Sequence, residues 1–240
     1  MASDLGLQMF HDGPVSHSHQ SCGNCFQRSH GQKLFVCGGC KEVKYCSKKC
    51  QLSHYPAHKK TCKAATKTRL AIEEATQLPS ATTDFHDWME YYNMPLQNCA
   101  IAAMQLPKSP HLEQRVFIVL LRHKRDLSQP VWNKFEVVNI GMYHLNEVPH
   151  LEICSYEQSC ARGKIQLGAS FFGVIRSVFL VCLEKNGQTP NIVNVRELPI
   201  DHEMASARPL REDWWLLLRE YINTGAKMRF CCGKDPHSRI

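Results

Sequence analysis

The residues whose types and spacing could do chemistry lie between positions 22 and 62: Cys22, Cys25, Cys37, Cys40, Cys46, Cys50, His58 and Cys62. They fall into four pairs, two separated by two residues and two by three. Eight soft or borderline donors in pairs are what two four-coordinate zinc ions require. A two-residue gap lets a tight turn aim two sulfurs at one ion, and "CGNC" and "CGGC" supply the glycines such turns use. A three-residue gap puts donors at i and i+4, one helical turn apart on one face. Cys22/Cys25 and Cys37/Cys40 therefore read as knuckles, and Cys46/Cys50 and His58/Cys62 as pairs carried on short helices. Four protein donors per ion leave no open position, so the sites read as structural and not catalytic. His30 and His54 lie outside the four pairs and read as surface histidines. Spacing alone leaves the sharing of ions open: sequential pairs could share one, or alternate pairs could.

Composition agrees with reduced, metal-binding thiols. Seven of the 13 cysteines sit between Cys22 and Cys62. No apolar run is long enough to span a membrane. The start "MASDLGLQMFHDGPVS" has no basic stretch followed by an apolar core, so no secretory signal is expected. An intracellular setting, nuclear or cytoplasmic, follows, where clustered thiols bind metals more often than they form disulfides. From His17 to Lys63 nine Lys or Arg face one acid, Glu42, while the rest of the chain carries 20 basic and 21 acidic residues. Seven thiolates and two dications leave the metal-binding segment at a net +5. Its charge is nearly all lysine, which contacts phosphate without reading bases, so sequence-specific DNA binding is not expected.

The full pattern, with the string "YCSKKCQLSHYPAHKKTC", resembles a MYND-type zinc finger over about a fifth of the chain. The resemblance implies interleaved ligands in a cross-brace: Cys22, Cys25, Cys46 and Cys50 on one zinc, and Cys37, Cys40, His58 and Cys62 on the other. It also implies a protein-interaction module that docks proline-containing peptides. In that family a Gln and a Trp on the helix of the third pair line the groove. The matching positions are Gln51 and Tyr55, with Tyr standing where the family has Trp. The implied function is a zinc-binding adaptor, in a setting such as transcriptional regulation. The rivals are an enzyme whose active site lies in the second domain and a nucleic-acid-associated regulator. MYND fingers also interrupt SET-type lysine methyltransferases, but the Asn-His-x-Cys-like motif of those enzymes is absent, and no enzymatic activity is expected.

The elements that must position these residues read as α+β. Residues 1–16 are expected to be disordered, 17–63 to form the finger, and 64–83 to be a helical extension and linker. Residues 84–228 read as a domain of mixed helix and antiparallel sheet, and 229–240 as a flexible tail. "DFHDWMEYYNMPLQNCAIAAMQLP" has Phe85, Trp88, Met89 and Tyr92 at helical spacing, with Asp84 able to cap its start and Pro95 dividing or kinking it. "RVFIVLLRHK" and "KFEVVNIGMYHL" alternate as strands, and two more strands are expected to turn at "KNGQ". "REDWWLLLREYINTG" places Trp214, Leu217, Leu218 and Tyr221 on one helical face, with Gly225 as a stop. This layout resembles fungal proteins that carry MYND fingers, a likeness that brings no activity with it. His144, His150, Cys154, Glu157 and Cys160 cluster in sequence without a usual ligand spacing, and Cys231 and Cys232 read as free thiols.

Overall fold

A computed structural model describes residues 22–25, 27, 34–104, 111–148, 156–184, 191–206 and 214–225. The chain divides into two compact units between Tyr91 and Tyr92.

The first unit opens with a minimal hairpin. Strand β1 (Phe35–Val36) pairs antiparallel with β2 (Lys44–Tyr45), Phe35 opposite Tyr45. Between them Cys37 N–H donates to Val43 O at 2.8 Å and Lys41 N–H to Cys37 O at 3.1 Å, closing the second knuckle. Lys41 takes the left-handed conformation, φ 63°, that the tight return requires.

Helix α1 then runs unbroken from Lys48 to Thr76, 29 residues. This corrects the expectation of separate short helices: one helix carries Cys50, His58 and Cys62 and continues past the finger. Ser47 caps it, its Oγ accepting from Cys50 N–H at 3.2 Å. Pro56 lies inside the helix, where it removes one backbone bond without ending it. Gln77, left-handed at φ 55°, terminates the helix and donates from Nε2 to Glu74 O at 2.6 Å.

Helix α2 (Ala81–Tyr91) starts three residues before the expected cap at Asp84. Ser80 occupies the start instead, its O accepting from Asp84 N–H and its Oγ donating to the Asp84 carboxylate, both at 2.7 Å. Phe85, Trp88 and Met89 of α2 are buried, as their spacing implies. Lys44 of β2 pairs with Glu90 of α2 at 2.5 Å, so α2 groups with the finger, and the break between units lies beyond position 84.

The second unit is α+β. Helix α3 (Asn93–Met104) follows a break at Tyr92, and Pro95 sits harmlessly in its first turn, where no N–H partner is needed. A short 3-10 turn, Leu112–Gln114, leads into β3 (Arg115–His123) and then β4 (Phe135–His144). Helix α4 (Tyr156–Leu167) crosses to β5 (Phe171–Cys182), which precedes β6 (Ile192–Asp201), α5 (His202–Ser206) and α6 (Trp214–Thr224). The sheet order is β4-β3-β5-β6. The outer ladders β3/β4 and β5/β6 are antiparallel, but the central β3/β5 ladder is parallel, Phe117 opposite Ser177. A parallel neighbour needs a crossover, and α4 lies within it, packing on β5 and β6. Helices α3 and α6 pack together against β3 and β4. Central β3 is buried on both faces through Val116, Phe117, Ile118, Val119 and Leu121.

Asn223 of α6 covers the outer rim of the sheet. Its Oδ1 accepts from Val137 N–H at 2.6 Å and its Nδ2 donates to Val137 O at 3.2 Å, filling backbone positions that edge strand β4 would otherwise expose. Gly225 follows at φ 69° and ends the helix as expected. The residues of the "KNGQ" turn, the N-terminal segment and the tail lie outside the described residues, as do His30, His150, Cys154, Cys231 and Cys232.

Candidate metal centres

Two elements supply each cluster. The first knuckle, Cys22–Cys25, is anchored where Gly23 N–H donates to Lys44 O at 2.9 Å. A side chain at Gly23 would strike Val43 Cγ1 at 2.5 Å, so the knuckle needs glycine there to lie against the hairpin. Cys46 follows β2 directly, and Cys50 projects from the first turn of α1. The Ser47 cap thus sits inside the third pair and orients both sulfurs. Cys37 and Cys40 flank the second knuckle, and His58 and Cys62 reach it from one face of α1.

The structure brings Cys22, Cys25, Cys46 and Cys50 into one cluster and Cys37, Cys40, His58 and Cys62 into another, the donor atoms of each within 4.8 Å of one another. The sharing left open by spacing is therefore interleaved. Four thiolates around zinc at about 2.3 Å would lie about 3.8 Å apart, and a sulfur and an imidazole nitrogen slightly closer. Cys25 and Cys46 sulfurs are 3.7 Å apart, Cys46 and Cys50 3.5 Å, and Cys37 and Cys62 3.6 Å. His58 Nε2 is 3.5 Å from Cys40 Sγ, which makes Nε2 the nitrogen that faces the ion. The residues present fit two tetrahedral zinc ions.

The thiols are already pushed apart in acidity. Burial pushes the Cys22 thiol up, but backbone N–H groups around it, Cys25 first, outweigh burial and bring it down to about 6. Cys37 also comes down to about 6: burial opposes this, and a hydrogen bond from His58 with the N–H groups of Gly39 and Cys40 overcomes it. Burial drives Cys40 up to about 11, and the hydrogen bond with Cys50, with that of Cys22, drives Cys46 up to about 12. Each cluster thus holds at least one sulfur ready to carry charge beside another that keeps its proton. A dication can take over from those protons and make every sulfur a thiolate.

The clusters are also the core of the finger. Cys22, Cys37, Cys40, Tyr45 and Cys62 form one buried group, with Val43, Cys46, Cys50 and Ala65 packed on it. Little else there is apolar, so when bound the zinc ions supply the cross-links and most of the folding free energy, on the order of ten kcal/mol per site.

A family model of the MYND finger matches residues 22–62. These residues are a MYND finger. The match spans the eight ligands and ends on the last of them. MYND fingers are zinc-dependent protein-interaction modules. No solved structure matches the chain.

Around the finger's second site the structure adds a contact that spacing did not reveal. His54, expected at the surface, is half-buried and stacks on ligand His58 with ring centres 5.4 Å apart and an interplanar angle of 16°. Its Nδ1 meets the buried Tyr45 hydroxyl at 3.1 Å, and the Tyr45 ring lies edge-on to His58 at 6.4 Å. Tyr45 and His54 together hold the His58 ring in place, as supporting groups do around metal ligands. The i, i+4 spacing of His54 and His58 on one helix is the signal that could have shown this.

The two positions matched to the peptide groove lie on α1. Tyr55 is 47% exposed and so is no part of the finger's core. Gln51, one turn earlier, is half-buried, and its Oε1 accepts from Lys48 Nζ at 3.3 Å. Among the described residues no third group of metal-ligating side chains occurs, and none of the helices is long and apolar enough to cross a membrane. His144, placed in the sequence cluster near Cys154, sits at a local turn where its N–H donates to Glu147 Oε2 at 2.6 Å. Cys160 is half-buried on α4.

Proposed function

We propose that the MYND finger docks proline-containing segments of partner proteins on the face of α1 that carries Gln51 and Tyr55, and that the chain works as an adaptor. The observation that carries this reading is an exposed aromatic ring one helical turn from a half-buried amide, on a helix pinned at three positions by metal ligands. A tyrosine ring gives a proline a flat apolar surface, and its hydroxyl can pair with a peptide carbonyl. The Gln51 amide can donate to one backbone carbonyl and accept from one N–H. Leu52, 61% exposed, extends the apolar surface beside Tyr55. Lys48 and Lys59 flank it and favour acidic residues on either side of the proline. The sites use all four positions on each ion for protein ligands, which suits a scaffold and leaves no metal position for a substrate. In this reading the chain binds and bridges and performs no reaction, the α+β unit offering the second surface.

The test is titration of fluorescent proline-containing peptides with acidic flanks into the zinc-loaded full chain. Tyr55→Ala is expected to weaken binding tenfold or more, about 1.4 kcal/mol, with zinc content unchanged. Binding that survives Tyr55→Ala undiminished would remove the proposed face.

A further inference from the structure

A second surface of α1 is independent of the Tyr55 face. From Val43 to Ile72 the sequence holds eight basic residues and no acid. Three of the eight are engaged: Lys44 with Glu90, Arg69 with Glu73, and Lys48 with Gln51. Lys49, Lys59, Lys60, Lys63 and Lys67 are exposed and have no carboxylate partner among the described residues.

Their spacing arranges them. Lys49 and Lys60 are eleven residues apart and Lys60 and Lys67 seven, each close to a whole number of turns, so the three lie on one line along α1. Lys63, one turn from Lys60, lies beside that line. The line is about 27 Å long at 1.5 Å per residue. It faces away from His58 and Cys62, which are buried on the opposite side of the helix with the zinc ligands. The adjoining shoulder carries only small exposed side chains, Ser53, Ala57, Ala64 and Thr68.

We propose that this lysine ridge binds the phosphate backbone of duplex DNA without sequence preference. The charge is complementary to a polyanion, and a row of ammonium groups along one helix face suits a regular line of phosphates. Lysine acts as a point charge and does not read base edges, so the contact follows charge and shape. The surface is convex: a single helix with one small-residue shoulder fits the wide major groove of B-form DNA, with lysines reaching the phosphates on its rim. The deep, narrow major groove of duplex RNA does not admit such a rod.

The test uses the zinc-loaded full chain and a fluorescent mixed-sequence duplex DNA, read by anisotropy between 50 and 200 mM salt. Four phosphate contacts predict about a hundredfold loss of affinity across that range, since each contributes about 0.9 to the slope of log K against log salt. Replacing Lys49, Lys60, Lys63 and Lys67 by Gln should abolish binding and its salt dependence, while replacement by Arg should retain both. Two zinc ions and an unchanged circular dichroism spectrum keep the Gln variant a fair comparison. The proline-peptide titration should be unaffected by these changes, so the two readings fail separately. The proposal is overturned if the wild-type chain ignores DNA at 50 mM salt, or if the Gln variant binds as well as wild type. Equal or tighter binding to duplex RNA, to polyglutamate or to phosphatidylserine vesicles would overturn it in the same way.

Discussion

At the scale of single residues, the ligands were legible because zinc imposes both residue type and spacing, and neither varies with the rest of the fold. What spacing could not give was the sharing of ions, which depends on how the hairpin folds back on α1. The resemblance to the MYND family implied an interleaved sharing, and the donor atoms of Cys22, Cys25, Cys46 and Cys50, and of Cys37, Cys40, His58 and Cys62, lie together in those two groups. His54 was misplaced at the surface because its partners, the Tyr45 hydroxyl and the His58 ring, are brought to it by tertiary packing. The second knuckle offers a sharp test at this scale. A methyl group on Gly39 would sit 3.0 Å from the sulfur of Cys62 and 3.3 Å from Thr66 Oγ1, whereas one on the neighbouring Gly38 would meet nothing within 4 Å. Zinc pins that sulfur, so it cannot move aside. Gly39→Ala is expected to weaken zinc at the second site about tenfold, the range seen when groups around metal ligands are disturbed. Gly38→Ala should leave it unchanged in a competition titration with a chromophoric chelator. Equal behaviour of the two variants would contradict the geometry.

At the scale of elements, the strands were legible from alternation and the last helix from its apolar spacing and terminal glycine. The parallel β3/β5 ladder was not, because strand direction follows from the crossover through α4 and not from any pattern within the strands. Nor was the continuity of α1, since the i, i+4 ligand pairs read as carried on separate short helices. The helix runs through Pro56 because the zinc ligands on either side, Cys50 before it and His58 and Cys62 after it, hold both halves in register. A proline in a helix interior costs about 3 kcal/mol, partly offset by the freedom it removes from the unfolded chain. Pro56→Ala should therefore raise the stability of the zinc-loaded first unit by about 1–2 kcal/mol, read as a higher denaturation midpoint at fixed free zinc. An unchanged or lower midpoint would mean that the two halves of α1 do not form one helix.

At the scale of the whole molecule, the finger and the second unit rest on different physics. The second is a conventional core: a four-stranded sheet covered by α3 and α6 on one side and buried through Phe117, Leu121, Ile175, Phe179 and Leu218. The finger's core consists largely of its own metal ligands. That contrast was readable in the sequence as the crowding of cysteine and lysine before residue 63, though the placement of α2 with the finger was not, because it depends on pairs such as Lys44–Glu90. The central claim is that two zinc ions are held by interleaved pairs. Native mass spectrometry of two double variants tests it most directly. Cys25 and Cys50 share a cluster, whereas Cys25 and Cys37 do not. The chain should carry two zinc ions, Cys25→Ser with Cys50→Ser should retain one, and Cys25→Ser with Cys37→Ser should disable both sites. If instead the Cys25/Cys37 variant keeps one zinc and the Cys25/Cys50 variant keeps none, the ligands pair sequentially and the interleaved cross-brace is wrong.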